Sequence, residues 1–303
     1  MSNLPLRNQL SYEELRRRRP DVIVVRIVGD RRGHSQVDYT VNAAMGFPLV
    51  TGPADDPRPV NNVTPAWDIA TGTLAAAALL GAVLRRARTG EGALVEISLE
   101  DVALSALGYL GRLAAAQLGV APQERDGNMI YGSFGRDFSS ADGRRLMITA
   151  LTPHQWRALR VATGTSDELD LLGKRLDLRF EEEGDRFAAR YAIGEILERA
   201  FAALPGEEIE SRLDAAGACW AWYRSFEEAA GQEIDGRNPL LRELIDPEVG
   251  TYFAPASPVQ VDRRASFSGP APAHGQQTRE VLMEILALDE PQLDALAQRH
   301  VIP

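Results

Sequence analysis

The chain has 303 residues, 45% of them apolar, and a formal net charge of −10. That is enough apolar mass for one large domain or two ordinary ones, and the negative field repels phosphate polyanions, which argues against nucleic acid as a partner. The single cysteine, Cys219, rules out an internal disulfide and any multi-cysteine metal site, fits a reducing, cytoplasmic setting, and reads as a small buried hydrophobe.

In chain order, Ser11 in SYEELRRRRP is placed to cap a short helix, with Glu14 three residues on completing a capping box. Next, DVIVVRIVG, Asp21 to Gly29, is a nearly unbroken β-branched run, the pattern of a strand covered on both faces in a parallel sheet. After a polar loop from Asp30 to Ser35, residues Tyr39 to Val50 are mostly apolar, and Gly52 to Asn62 form a Pro- and Asp-rich connection. Thr64 is expected to cap a helix with Pro65 in its first turn. That helix, PAWDIATGTLAAAALLGAVLRRAR, has small residues on every face, predicts burial all round, and ends at Thr89-Gly90-Glu91-Gly92. Its apolar part, Leu74 to Leu84, is too short to span a membrane, and MSNLPLRNQL lacks the plan of a signal peptide, so no membrane role is expected. ALVEISL alternates as a strand, and EDVALSALGYLGRLAAAQLGV reads as a second buried helix stopping at Gly119 before Pro122.

Composition shifts at APQERDGN, and a hairpin follows, YGSFGRDFSS and RRLMITAL joined by a turn at Asp142-Gly143. Helices are expected at Pro153 to Thr163, Asp185 to Ala203 and Glu207 to Ala216, then a short aromatic strand at Ala218 to Tyr223. Residues Asp246 to Val261 read as a return segment, before helices at Thr278 to Ala287 and Glu290 to Arg299. The expected architecture is α/β: a partial Rossmann-like large domain (1–120), a smaller α+β domain (121–250) inserted before a C-terminal segment (251–303) that returns to the large domain.

No Walker-type loop, G-x-G-x-x-G turn, H-E-x-x-H or G-x-S-x-G elbow is present, and His34, His154, His274 and His300 lack metal-ligand spacing, so no metal is expected. The basic run Arg16 to Arg19 sits where cations complement a helix C-terminus. Tyr131-Gly132 and Phe134-Gly135 suit either a flexible loop over a substrate or the opening of a hairpin. Asp68 stands out, a carboxylate in the first turn of a helix that is otherwise alanine, leucine and glycine. It is either a dipole-stabilised anchor or a placed reagent. Asp38, in QVDYT, poses the same question and leans to the anchor.

These segments together resemble the class III CoA-transferases, the family that includes formyl-CoA transferase, carnitine CoA-transferase and α-methylacyl-CoA racemase. VVRIVGDRRGHSQVDYT is similar to the family's strand, glycine loop and aspartate segment, and PAWDIATG with R-x-R-T-G-E-G to its Asp-bearing helix. The Asp-Gly hairpin, CWAWYRSFEEA and PAHGQQTREVLMEIL extend the likeness toward the C-terminus. Within the family, NVTPAWDIATG, YGSFGRDF and EEEGDRFAAR resemble most the branch that moves CoA between the two carboxyl groups of one diacid.

The resemblance implies that Asp68 is the nucleophile that becomes an aspartyl-CoA thioester, with coenzyme A arriving as part of the substrate and no permanently bound cofactor. It implies an intertwined homodimer, aligns Asn3 with a CoA-contacting asparagine, and leaves Arg7 as a nearby phosphate contact. It also aligns MSNLPLRN with the middle of the family pattern, so the family's first βα units are expected outside these residues, supplied upstream or by a separate chain. A non-catalytic subunit is the alternative. The racemase branch, with a histidine beside the loop aspartate, is the weaker match because Val37 precedes Asp38 and His34 lies further away.

Overall fold

The computed structural model describes residues 1–121 and 123–303. The chain divides into two compact units, Met1–Trp222 and Tyr223–Pro303.

The first unit opens with α1, Tyr12–Arg18, whose N-cap Ser11 accepts a hydrogen bond from the Glu14 amide at 3.3 Å. Only half of the expected capping box forms. The Ser11 amide donates to the Asn8 carbonyl, and the Glu14 carboxylate is taken by Arg17 and Arg18, whose guanidinium groups are strong donors. Strand β1, Ile23–Val28, then leads to α2, Asp38–Ala44, and to α3, Ala66–Thr89, before β2, Ala93–Ser98. β1 and β2 pair in parallel from Ile23 opposite Ala93 to Val28 opposite Ser98. Two parallel strands need a long crossover, and α3 provides it by packing along both of them. Val24 and Val25, adjacent and both buried, cover the two faces of β1, while Arg26 donates to its register partner Glu96 at 2.8 Å. The crossover ends where Gly90 takes the left-handed conformation that closes a helix and Gly92 passes too close to the Val22 carbonyl for any side chain.

Two helices follow, α4, Leu99–Tyr109, and α5, Arg112–Gln117. The single helix expected here is broken at Gly111, which has a positive φ of 70°. Pro122, expected to follow its end, lies outside the described residues. α3 also departs from expectation. Only Trp67, Thr71, Ala75 and Ala82 are buried, one stripe facing the sheet, while Ile69, Leu80 and Leu84 are exposed. The small side chains on every face permit burial all round, but one face alone meets the strands. The helix is also long and apolar enough, by length and composition, to cross a membrane, which the apolar run read from sequence is not. Its glycines, threonines and alanines extend the apolar stretch beyond Leu74–Leu84.

A second core within this unit gathers around an antiparallel sheet. Strand β3, Phe134–Ser139, pairs with β4, Arg145–Ala150, and β4 with β5, Cys219–Trp222. Phe134 and Gly135 open β3, so the glycine-containing stretch belongs to a hairpin, turned at Gly143 with φ 81°. Against the sheet lie α6 (Pro153–Thr163), α7 (Ser166–Leu176), α8 (Glu183–Ala188), α9 (Arg190–Ala202) and α10 (Gly206–Ala216). The helix expected over Asp185 to Ala203 is therefore two, separated at Ala189. Phe134, Phe138, Trp156, Leu159, Leu197 and Phe201 fill this core. Arg186, fully buried within it, donates to the carbonyls of Phe180, Glu181 and Leu151 rather than to a carboxylate. Burial pulls its pKa down, outweighing the glutamates at 181–183. Cys219 is exposed, not buried, because the edge strand β5 turns its alternate residues outward.

The second unit holds α11 (Phe226–Asp235), a hairpin of β6 (Leu241–Asp246) and β7 (Gly250–Pro255), and a small pair, β8 (Gln260–Val261) and β9 (Arg264–Ala265). It closes with α12 (Thr278–Leu286) and α13 (Glu290–Gln298), linked by Arg279, which donates to Glu290 at 2.6 Å.

Candidate active site

The N-terminal end of α3 is held from a distance. Thr64 was the expected cap, yet Pro65 occupies the cap position, and neither residue's side chain caps the helix. The carboxylate comes instead from Asp38, at the start of α2, whose Oδ2 accepts from the Trp67 amide at 2.6 Å and the Asp68 amide at 3.2 Å. Asp38 is 3% exposed, so these are charge-assisted bonds in a poorly solvated place. The other first-turn donors are also engaged: Ala66 donates to the Thr64 carbonyl at 2.8 Å and Ile69 to the Pro65 carbonyl at 3.1 Å. A buried side-chain relay fixes the neighbouring ring. Trp67 Nε1 donates to Asn42 Oδ1 at 3.1 Å, and Asn42 Nδ2 donates to Asn61 Oδ1 at 2.6 Å. Phe47 packs on the Trp67 ring with centroids 4.9 Å apart.

With backbone and preceding ring fixed, the Asp68 side chain is left exposed and faces a cavity of about 390 Å³. Its lining comes from three places: Met1, Ser2 and Asn3; Ile27 of β1 and Leu99 at the start of α4; and Asp68, Thr71 and Gly72 on one face of α3. Ser2 is there because it adds a bridge to the free edge of β1, its amide donating to Val25 at 2.9 Å and its carbonyl accepting from Ile27 at 3.0 Å. Of the residues singled out in the sequence, Asn3 and Asp68 thus line one cavity. Arg7 does not line it. It precedes the 3-10 turn Asn8–Leu10 and is exposed.

His34 is likewise absent from the lining. Its Nδ1 lies 2.7 Å from Asp30 Oδ2, while the other Asp30 oxygen accepts from the amides of Arg32 and His34 at 2.9 Å. Burial is the largest influence on the Asp30 carboxyl and pushes its pKa up. The His34 ring and the two amides together outweigh it, so the group sits below the ordinary carboxylate value. This pair orders the loop after β1, and among the described residues no histidine lines the cavity that holds Asp68. Among the described residues no three His, Cys, Asp or Glu side chains are placed together to hold a metal ion.

Comparison with known proteins bears directly on this geometry, since the sequence model of CoA-transferase family III matches residues 4–278. The chain belongs to CoA-transferase family III. It is 43% identical over 305 residues to the 2-methylfumaryl-CoA isomerase of Chloroflexus aurantiacus, covering 100% of this chain and 75% of that protein. It is 26% identical to the succinyl-CoA:glutarate CoA-transferase of Mus musculus, over 97% of this chain and 66% of that one. Among solved structures, Rv3272 from M. tuberculosis superposes with a TM-score of 0.70 at 23% identity, over 88% of this chain and 70% of that one. A CAIB/BAIF family protein from Brucella suis gives 0.69 at 21% identity, over 91% and 71%. These two show the shared α/β fold. The family read from VVRIVGDRRGHSQVDYT and PAWDIATG therefore holds, as does the likeness to the branch acting on one diacid.

Two features of this cavity were not read from the sequence. Asp38 as the cap of α3 depends on a contact across 29 and 30 residues, and no local pattern reports it. Thr71 reads as one more small residue in an alanine-rich helix, and only its buried, unpartnered hydroxyl distinguishes it.

Proposed function

We propose that the chain is a CoA-transferring isomerase that moves coenzyme A from one carboxyl group of 2-methylfumarate (mesaconate) to the other, C1 to C4, through an aspartyl-CoA thioester on Asp68. The observation that carries this is the Asp68 carboxylate, exposed into a cavity at the start of α3 while the backbone beneath it is clamped. The 43% identity to an isomerase of that name supports the substrate.

A free carboxylate is the group the chemistry requires. It adds to the substrate thioester and releases CoA thiolate, giving a mixed anhydride, and the thiolate then attacks the Asp68 carbonyl to give the enzyme thioester and the free diacid. The diacid's other carboxylate attacks that thioester, CoA leaves again, and the thiolate takes the distal acyl carbon. No net proton transfer is needed. Because donor and acceptor are one molecule, the diacid need only reorient within the site between the two halves, which makes the second attack effectively intramolecular.

Incubating the purified chain with mesaconyl-C1-CoA and separating the thioesters by chromatography tests this. Accumulation of the C4 thioester is expected. A folded protein that yields none, at enzyme concentrations matching the substrate, would sink the reading.

We propose also that the working form is a homodimer. Ile69, Leu80 and Leu84 on α3, with Tyr109, Leu110 and Leu118 further along the chain, leave large apolar side chains in water, which monomers seldom tolerate in such number. Light scattering on a size-exclusion column is expected to give twice the chain mass of 33.1 kDa. A monomer at micromolar concentration contradicts it.

A further inference from the structure

Thr71 is one of the few polar side chains that is buried and has no hydrogen-bond partner. The residue is 1% exposed, and its Oγ1 meets no acceptor or donor among the described residues. Threonines inside helices ordinarily return their hydroxyl to the carbonyl four residues back. Two others in the same helix do so, Thr73 to Ile69 and Thr89 to Arg85, each at 2.9 Å. Thr71 has the same option and does not take it. Leaving a hydroxyl buried and unpaired costs on the scale of a lost hydrogen bond, so a buried orphan in a native fold calls for a partner that arrives later.

Its position says which partner. Thr71 lies three residues after Asp68, so the two side chains project from one face of α3 with Cβ atoms about 5–6 Å apart, and both line the same cavity. The reaction proposed above makes two of its four attacks on the Asp68 carbonyl carbon. When a substrate carboxylate adds to the aspartyl-CoA thioester, the carbonyl π pair moves onto the Asp68 oxygen. Collapse then expels CoA as thiolate and leaves the mixed anhydride. The oxygen needs a donor for the lifetime of that addition, and helix N-termini are common suppliers. Here the amides of Ala66, Trp67, Asp68 and Ile69 are already bonded to Thr64, Asp38 and Pro65.

Resting on the aspartyl-CoA reading, we propose that the Thr71 hydroxyl is the hydrogen-bond donor to the Asp68 carbonyl oxygen as it takes up negative charge. Thr71 is thereby a catalytic residue, idle in the free enzyme and engaged when the thioester is attacked.

The test compares T71V, which removes the hydroxyl at nearly constant shape, with T71S, which keeps it. With mesaconyl-C1-CoA, T71V should lose about ten- to a hundredfold in kcat with little change in KM, the scale of one hydrogen bond to a charged group. T71S should keep kcat to within about threefold, its looser rotamer accounting for the difference. The discriminating readout is stability: because the hydroxyl has no partner in the free protein, T71V should melt at the same temperature as the unmodified chain or higher. A T71V protein with unchanged kcat overturns the assignment. So does one whose melting temperature falls, since the hydroxyl then has a structural partner. If valine does not fold, T71A removes the same group and is read by kcat alone, since the lost methyl lowers its melting temperature in any case. Hydroxylamine trapping of the enzyme thioester separates the two levels. No trappable thioester in the unmodified chain overturns the aspartyl-CoA reading and Thr71 with it, whereas a normal thioester with indifferent T71V turnover overturns Thr71 alone.

Discussion

Replacing Asp68 by alanine is expected to leave a folded protein whose conversion of mesaconyl-C1-CoA falls by on the order of 10⁴-fold or more, the scale seen when a covalent nucleophile is removed. The carboxylate is exposed, and among the described residues no side chain hydrogen-bonds to it, so its structural contribution reduces to a first-turn charge in the helix dipole. That is worth about 0.3–1 kcal/mol, partly returned by the better helix propensity of alanine. Activity and melting temperature should therefore separate almost completely in D68A. Denaturing mass spectrometry after incubation with substrate should show a CoA adduct on the peptide carrying Asp68 in the unmodified chain and none in the variant. Turnover within tenfold of the parent would remove Asp68 from the chemistry.

Asp38 is expected to behave in the opposite way, losing stability first and activity as a result. Its Oδ2 is the acceptor for two amides at the start of α3, one buried and one part-buried, and D38A strips both at once. A lost cap costs about 0.5–2 kcal/mol and a hydrogen bond to a charged acceptor about 1.5–3 kcal/mol, so a destabilisation of about 2–4 kcal/mol is expected. That corresponds to a fall of roughly 5–10 °C in melting temperature. D38N retains an acceptor oxygen and should fall between parent and alanine. An unchanged melting curve for D38A would mean that water satisfies those amides and that the clamp does not hold Asp68.

The contrast between these two aspartates also marks what could be read in advance. PAWDIATG announces Asp68 because a lone carboxylate in an alanine-rich helix is a local anomaly, and β1 announces itself through the β-branched run VIVVRIV. Family and fold class followed from such local patterns. What escaped was set by contacts across the chain. The cap of α3 was assigned to Thr64 on proximity, whereas the tertiary fold supplies a charged acceptor from α2 that a neighbouring hydroxyl cannot match. Burial of α3 was overestimated because small residues permit close packing on any face but do not say which faces have neighbours. Cys219 was judged by its residue type, and strand alternation at a sheet edge put it outside. α7 and α11 escape a sequence reading because SDELDLLGKRL and FEEAAGQEID are short and rich in charge, and only α7 completes an apolar stripe, against the second core.

The bond between Asp38 and the amides of Trp67 and Asp68 closes the chain into a ring. Apart from Asn42, Phe47 and Asn61, which hold the Trp67 ring, what lies between those points, including the Pro- and Asp-rich stretch that Arg125 pins by donating to the Arg58 carbonyl at 2.6 Å, is a detour. Lengthening a flexible detour whose ends are already joined costs little, since closure entropy grows only with the logarithm of its length. The segment from Gly52 to Val60, which stops short of the Asn61 that holds Asn42, is thus where this protein can accept insertions, exchange sequence or acquire new surface chemistry while Asp68 stays in place. The clamp uncouples the length of that stretch from the position of the carboxylate that reacts.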